Sequence, residues 1–199
     1  RAQAGEHSRV QGVRPADHQE HQGSFPPSSA RVSSPDPSPP QTIAKVLASH
    51  NYKLQTDGSD NHLVLWDLRP LGLTGSKIEK ICDLAHITLN KNAVQGDKSA
   101  MVPGGVRVGS NSLTSRSMKE PEMEIVADFL HRAVQIGLKA QEEAGSKLLK
   151  DFISTITERD GESRKMLRQL TADVQEFAMK FPLPGVPVRP SLPLVLCRP

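Results

Sequence analysis

A chain of 199 residues is long enough for one medium domain, or one domain with tails. Hydrophobic residues make up only 36% and aromatics 4%, and a formal net charge of +3, with no basic cluster interleaved with aromatics, does not mark a nucleic-acid surface. No apolar run is long enough to span a membrane. Two cysteines, Cys82 and Cys197, make neither a disulfide framework nor a metal spacing. An intracellular, reducing compartment is expected, the cytoplasm ahead of mitochondrion or plastid.

Residues 1–41 are rich in Pro, Ser, Gln and His and end near "SSPDPSPP". Their only sizeable apolar residues are Val10, Val13, Phe25 and Val32, too few to offset the entropy of ordering, so the segment is expected to be disordered. Its arginines and serines suit a transit peptide, but Glu6, Asp17, Glu20 and Asp36 do not. His7, His18 and His21 read as part of a polar tail, with weak metal binding as the alternative. Arg1, not Met, comes first, which reads as processing or as an incomplete stretch of a longer protein.

From Thr42 the pattern becomes that of a folded domain, expected to run to Gly185. "TIAKVLASH" predicts a short helix with Ile43, Val46 and Leu47 on one face. "YKLQT" predicts a strand and "DGSDN" a turn. "HLVLWDL" is strand-forming, with Leu63, Leu65 and Asp67 on one side and Val64, Trp66 and Leu68 on the other, which predicts a central strand covered on both faces. Ser76 and Glu79 have capping-box spacing at the start of a helix running to about Leu89, and "NKN" reads as its stop. Ala93 to Gly105 is a long loop and "GVRVGS" a short strand.

Three helices follow. The first has Pro121 in its first turn and an apolar stripe of Met123, Val126, Leu130, Ala133 and Val134. The second is expected to bury Leu148, Leu149, Phe152, Ile153 and Ile156. The third aligns Leu167, Leu170, Val174, Phe177 and Phe181, a stripe too short for a coiled coil. "FPLPG" closes it, and residues 186–199 form a proline-broken tail. The order predicts a compact α+β domain, about three strands covered by helices.

Phosphate-loop, dinucleotide, zinc-protease and nucleophile-elbow signatures are absent. The residue that draws attention is Arg107. Period-two alternation puts Val106 and Val108 on the core side and Arg107 on the other. A guanidinium there is either solvated or aimed at a carboxylate, which it would hold by two parallel charge-assisted bonds. Gly104 and Gly105 would let the backbone bend on entering the strand. Asn92 is similarly ambiguous: a helix stop, or a paired donor and acceptor for a heterocycle.

"GSDNHLVLWDLRPLG", "ITLNKNAVQGDKSA", "PGGVRVG", "LTSR" and "FPLPG" stand in this order between Thr42 and Gly185. Together they resemble the C-terminal part of serine hydroxymethyltransferase, plant-like among the eukaryotic forms. The resemblance implies the small C-terminal α/β domain of an aspartate-aminotransferase-like, fold type I enzyme. The family uses pyridoxal phosphate and tetrahydrofolate to interconvert serine and glycine, and works as a dimer or a dimer of dimers. It implies that Arg107 binds the substrate carboxylate, that Asn92, Ser99, Ala100 and Met101 lie on the folate side, and that Arg116 supports. No catalytic residue and no metal ligand is carried over.

The cofactor lysine has no counterpart here, since neither Lys91 nor Lys98 follows the family's threonine- and histidine-rich run. Asn111, Ser112 and Ser117 stand where the family has proline, alanine and glycine. The resemblance therefore implies a chain without cofactor chemistry of its own: a fragment, or a non-catalytic module that associates with a full-length relative. An unrelated carboxylate-binding domain is the remaining alternative.

Overall fold

The computed structural model describes residues 39–99 and 101–185. The expectations for residues 1–38 and 186–199 lie outside this range. Helix α1 (Pro39–Ser49) begins three residues before Thr42. The two prolines that read as disorder occupy its first turn, where a missing N–H costs nothing. The chain continues through β1 (Lys53–Leu54), β2 (Leu63–Asp67), a 3-10 turn at Arg69–Leu71 and α2 (Gly75–Leu84). Then come β3 (Asn90–Asn92), β4 (Gly105–Gly109), α3 (Asn111–Ser115), α4 (Glu120–Ala144), α5 (Leu149–Thr157) and α6 (Glu162–Met179).

The sheet has four antiparallel strands in the order β1-β2-β4-β3. The strand missing from the sequence reading is β3, which is Asn-Lys-Asn and carries no apolar signal. "NKN" is therefore not a helix stop. Helix α2 ends at Leu84, and the left-handed residue after it is His86, at φ 61°.

One face of the sheet is core. Val64, Trp66, Val106 and Val108 are buried on it against α1 and α2. Helix α4 lies behind these two and buries Met123, Leu130, Ala133 and Val134, with α5 and α6 packed on it in turn. Each such large side chain contributes roughly 1.5–3 kcal/mol by leaving water. The other sheet face is open: Leu63 and Leu65 are only half-buried, so β2 is central without being covered on both sides. Leu148 and Leu149, expected inside, are 67% and 40% exposed, while Phe152 and Ile156 fill the core. No helix among the described residues is long and apolar enough to cross a membrane.

The capping box does not form. Thr74 is the N-cap of α2 and makes no side-chain cap bond. Glu79 instead accepts the Lys91 backbone N–H at 2.9 Å and pairs with its ammonium at 3.2 Å, tying α2 to β3. Glu79→Ala is therefore expected to cost about 1–2 kcal/mol in urea unfolding. Ser76→Ala should be nearly neutral; equal losses would restore the capping box.

A second polar junction joins α1, β1 and α4. The His50 and His131 rings stack with centroids 4.1 Å apart, and the Tyr52 hydroxyl lies 2.7 Å from His131 Nδ1. Burial, then the His50 ring, lower the His131 pKa below 6.5, with Asp128 opposing. The fold thus favours the neutral ring. Its contribution is complete above the unfolded value and is lost as pH falls through the lower folded value. A thermal midpoint lower by about 3 °C at pH 5 than at pH 7.5 is expected, with this step missing in His131→Asn.

Candidate functional site

On the open face, β4 presents Gly105, Arg107 and Gly109, its valines having turned inward. The register sets Arg107 between Leu65 of β2 and Asn90 of β3. Its Nε donates to Asn90 Oδ1 at 3.3 Å, and no carboxylate among the described residues pairs with it. The two flanking glycines differ. A Cβ at Gly105 would stand 2.5 Å from Val94 Cγ1, so the loop closes that side. A Cβ at Gly109 would meet nothing nearer than the His62 carbonyl at 4.0 Å. On that side a groove of about 460 Å³ runs along Asn90, Arg107, Asn111 and Ser112. Glycines two residues either side of an arginine in a strand were the available signal for this arrangement.

The chain does bend at Gly104, on entering β4, but neither Gly104 nor Gly105 has a positive φ, so the bend does not need the left-handed region that only glycine enters freely. They are small because neighbours come close. A Cβ on Gly104 would lie 2.6 Å from Arg69 Cγ and from Asp97 Oδ1. Both neighbours belong to a network beside the site. Asp67, 1% exposed at the end of β2, accepts from Arg69 Nε at 2.9 Å and Nη2 at 2.8 Å, and from the Arg69 backbone N–H at 3.1 Å. The Arg69 side chain beside it holds the Asp67 carboxyl below the ordinary 3.8 despite burial. Arg69 also donates to the Gln95 carbonyl at 2.8 Å and pairs with Asp97 at 3.3 Å. Asp97 Oδ2 accepts the N–H of both Val94 and Gly104, each at 2.9 Å. The sequence reading missed all three charged residues, because nothing local brings positions 67, 69 and 97 together.

The other expected residues are placed as follows. Asn92 lies on the open face opposite Gly105, its amide donating to the Ala93 carbonyl at 2.7 Å. Ser99 is exposed, and its hydroxyl accepts the Met101 N–H at 3.2 Å. Met101 is 87% exposed. Ala100 lies outside the described residues. Arg116 is not on this face. It donates from Nε to the Phe181 carbonyl at 2.9 Å and from Nη2 to the Ala178 carbonyl at 2.6 Å, capping the C-terminal end of α6. A cation there complements the helix dipole.

The polar run after β4 forms α3, a helix of 5 residues that accommodates Asn111 and Ser112. Ser117 follows it at φ 65°, the left-handed region that favours glycine. The departure from glycine at this position is therefore a strained one. Ser117→Gly is expected to raise stability by about 1 kcal/mol in chemical denaturation. A loss of stability would show that the serine is held there by something other than backbone strain.

The described residues do not fit pyridoxal phosphate. The buried lysine, Lys77, is 2% exposed within the helical layer, where its ammonium donates to Gln141 Oε1 at 2.6 Å over the Phe152 ring. Lys53 pairs with Asp67 and Lys91 with Glu79. No group of three or more metal-ligating side chains occurs among the described residues.

Residues 37–130 match the family model described as serine hydroxymethyltransferase. The chain is 50% identical over 143 residues to serine hydroxymethyltransferase 5 of Arabidopsis thaliana, covering 72% of this chain and 29% of that protein. It is 48% identical over 145 residues to serine hydroxymethyltransferase of Caenorhabditis briggsae, covering 73% and 28%. It is 39% identical over 148 residues to the cytosolic serine hydroxymethyltransferase of Oryctolagus cuniculus, covering 74% and 30%. The chain thus spans about three tenths of the length of these curated relatives.

Proposed function

Because this chain belongs to the serine hydroxymethyltransferase family, we propose that its folded region supplies one wall of a hydroxymethyl-transfer site. In this reading the region is the small domain of a fold type I enzyme. Arg107 clamps the carboxylate of serine or glycine, and Asn92, Ser99 and Met101 face tetrahydrofolate. The observation that carries it is the Arg107 guanidinium, exposed on the open sheet face with a neutral amide as its one partner among the described residues and a groove on its Gly109 side. A planar fork in that position can take both oxygens of a carboxylate and fix its orientation.

In the family, pyridoxal phosphate supplies the electron sink for the reacting amino acid. The described residues offer it no lysine in a suitable cavity, so the chain alone is inactive in this reading. The half-buried Leu63 and Leu65 on the open face support a covering domain, whether from the same polypeptide or from a relative. The test is complementation. The purified chain is assayed for serine-to-glycine conversion alone and after co-expression with a cofactor-bearing large domain of the family. Activity only in the second case supports the proposal. A lysine in this chain that borohydride fixes to pyridoxal phosphate would overturn it, and so would failure of any family large domain to associate.

A further inference from the structure

Strand β3 poses a physical problem. It has 3 residues, lies at the sheet edge and consists of Asn90, Lys91 and Asn92, with no apolar side chain to anchor it. Register in such a polar edge strand is weakly specified, and a one-residue slip would turn Asn90 and Asn92 to the opposite face. Yet Asn90 must stand opposite Arg107 to accept its Nε, and Asn92 must stand opposite Gly105.

The restraint comes from outside the strand. One oxygen of Asp97 takes the N–H of Val94, two residues after β3, and that of Gly104, one residue before β4. The base of the connection between the paired strands is thereby closed by a single carboxylate. Asp97 is in turn held by Arg69, which the buried Asp67 fixes to the end of β2. Val94, seated over Gly105, fills the space beneath. The Glu79 grip on Lys91 acts from the other side of the strand.

We infer that Asp97, held by Arg69, is a positioning residue that sets the register of β3, and through it the orientation of Arg107 by Asn90 and the place of Asn92. The inference deepens the carboxylate-clamp reading, and its importance for ligand binding rests on that reading. The register itself does not, so the test uses no ligand. Amide hydrogen exchange and the Arg107 Nε–H resonance are followed in the wild-type chain, in Asp97→Ala and in Asp97→Asn.

In Asp97→Ala, protection of the β3 amides is expected to fall about tenfold or more, and the Arg107 Nε–H to move to the position of a solvated arginine. The β2–β4 amides, which belong to the core pairing, should keep their protection. Asp97→Asn, which keeps an acceptor for the two N–H groups while losing the ion pair, should fall between. Unchanged β3 protection and an unchanged Arg107 resonance in Asp97→Ala would overturn the inference. An equal loss across β2, β3 and β4 would also overturn it, as general destabilisation. In either case the clamp reading stands or falls separately, on its complementation test.

Discussion

Arg69→Ala is expected to lower the thermal midpoint at pH 7 by about 10 °C and to reverse the acid side of the stability curve. In the native chain, Arg69 satisfies both oxygens of a carboxylate that is 1% exposed. The Asp67 pKa is held low, so its contribution is present above the ordinary 3.8 and is lost as pH falls through the lower folded value. Removing the guanidinium leaves a buried charge with the Lys53 ammonium at 3.6 Å and the residue-69 backbone N–H as its remaining partners. Breaking one half of a buried pair typically costs about 3–5 kcal/mol, because the remaining charge is uncompensated. Lys53 places this case at the low end.

Desolvation, larger than either remaining attraction taken singly, is then expected to prevail, so the Asp67 carboxyl in the variant should titrate above its unfolded value instead of below it. The sign of the linkage changes with it. The wild type loses this contribution only as pH falls below about 3.8, whereas Arg69→Ala should gain stability as pH falls from 7 toward that value. Urea unfolding at pH 7, 5 and 4 measures both effects. Parallel curves for the two proteins would show that Asp67 is not the buried charge of this network. Arg69→Lys, which keeps a charge but loses the fork, should recover only part of the midpoint.

This network also marks the limit of what local sequence reveals. The apolar stripe of α4 is legible, because Met123, Leu130, Ala133 and Val134 repeat at helical spacing and all four are buried. The inward turn of Val106 and Val108 follows from alternation alone. Strand β3 is not legible in this way, since Asn-Lys-Asn has neither apolar period nor β-branched residues. It becomes a strand only by pairing with β4 and through the Glu79 carboxylate, eleven residues before Asn90. Glu79 itself was misread for a related reason: the capping-box spacing is satisfied, but Lys91 offers a charged partner that a local rule cannot see. For Arg107, alternation leaves both a solvated residue and a carboxylate clamp open, and by itself favours the solvated one. The quoted motifs shift the balance through resemblance, and the open face with its one empty glycine side supplies the physical content.

The complementary experiment separates that content from fold stability. Arg107→Ala is expected to leave the unfolding midpoint of the chain unchanged, because the guanidinium is exposed and, among the described residues, bonds only to Asn90 at 3.3 Å. In the site completed by a cofactor-bearing large domain, the same substitution should weaken glycine binding by about 10²–10⁴-fold. This corresponds to losing two charge-assisted hydrogen bonds that the partner carboxylate cannot replace in a closed site. Arg107→Lys keeps the charge as a point rather than a fork and should restore only part of the affinity. Gly109→Val should also impair binding with little loss of stability, since the added side chain enters the groove beside the guanidinium where no neighbour stands nearer than 4.0 Å. The two variants fail for different reasons, one by removing the donor and one by filling the space in front of it. An amine ligand without a carboxylate therefore distinguishes them. Its weak binding should be unaffected by Arg107→Ala but reduced by Gly109→Val. Equal glycine affinity in wild type and Arg107→Ala would remove Arg107 from the site and return it to the solvated surface.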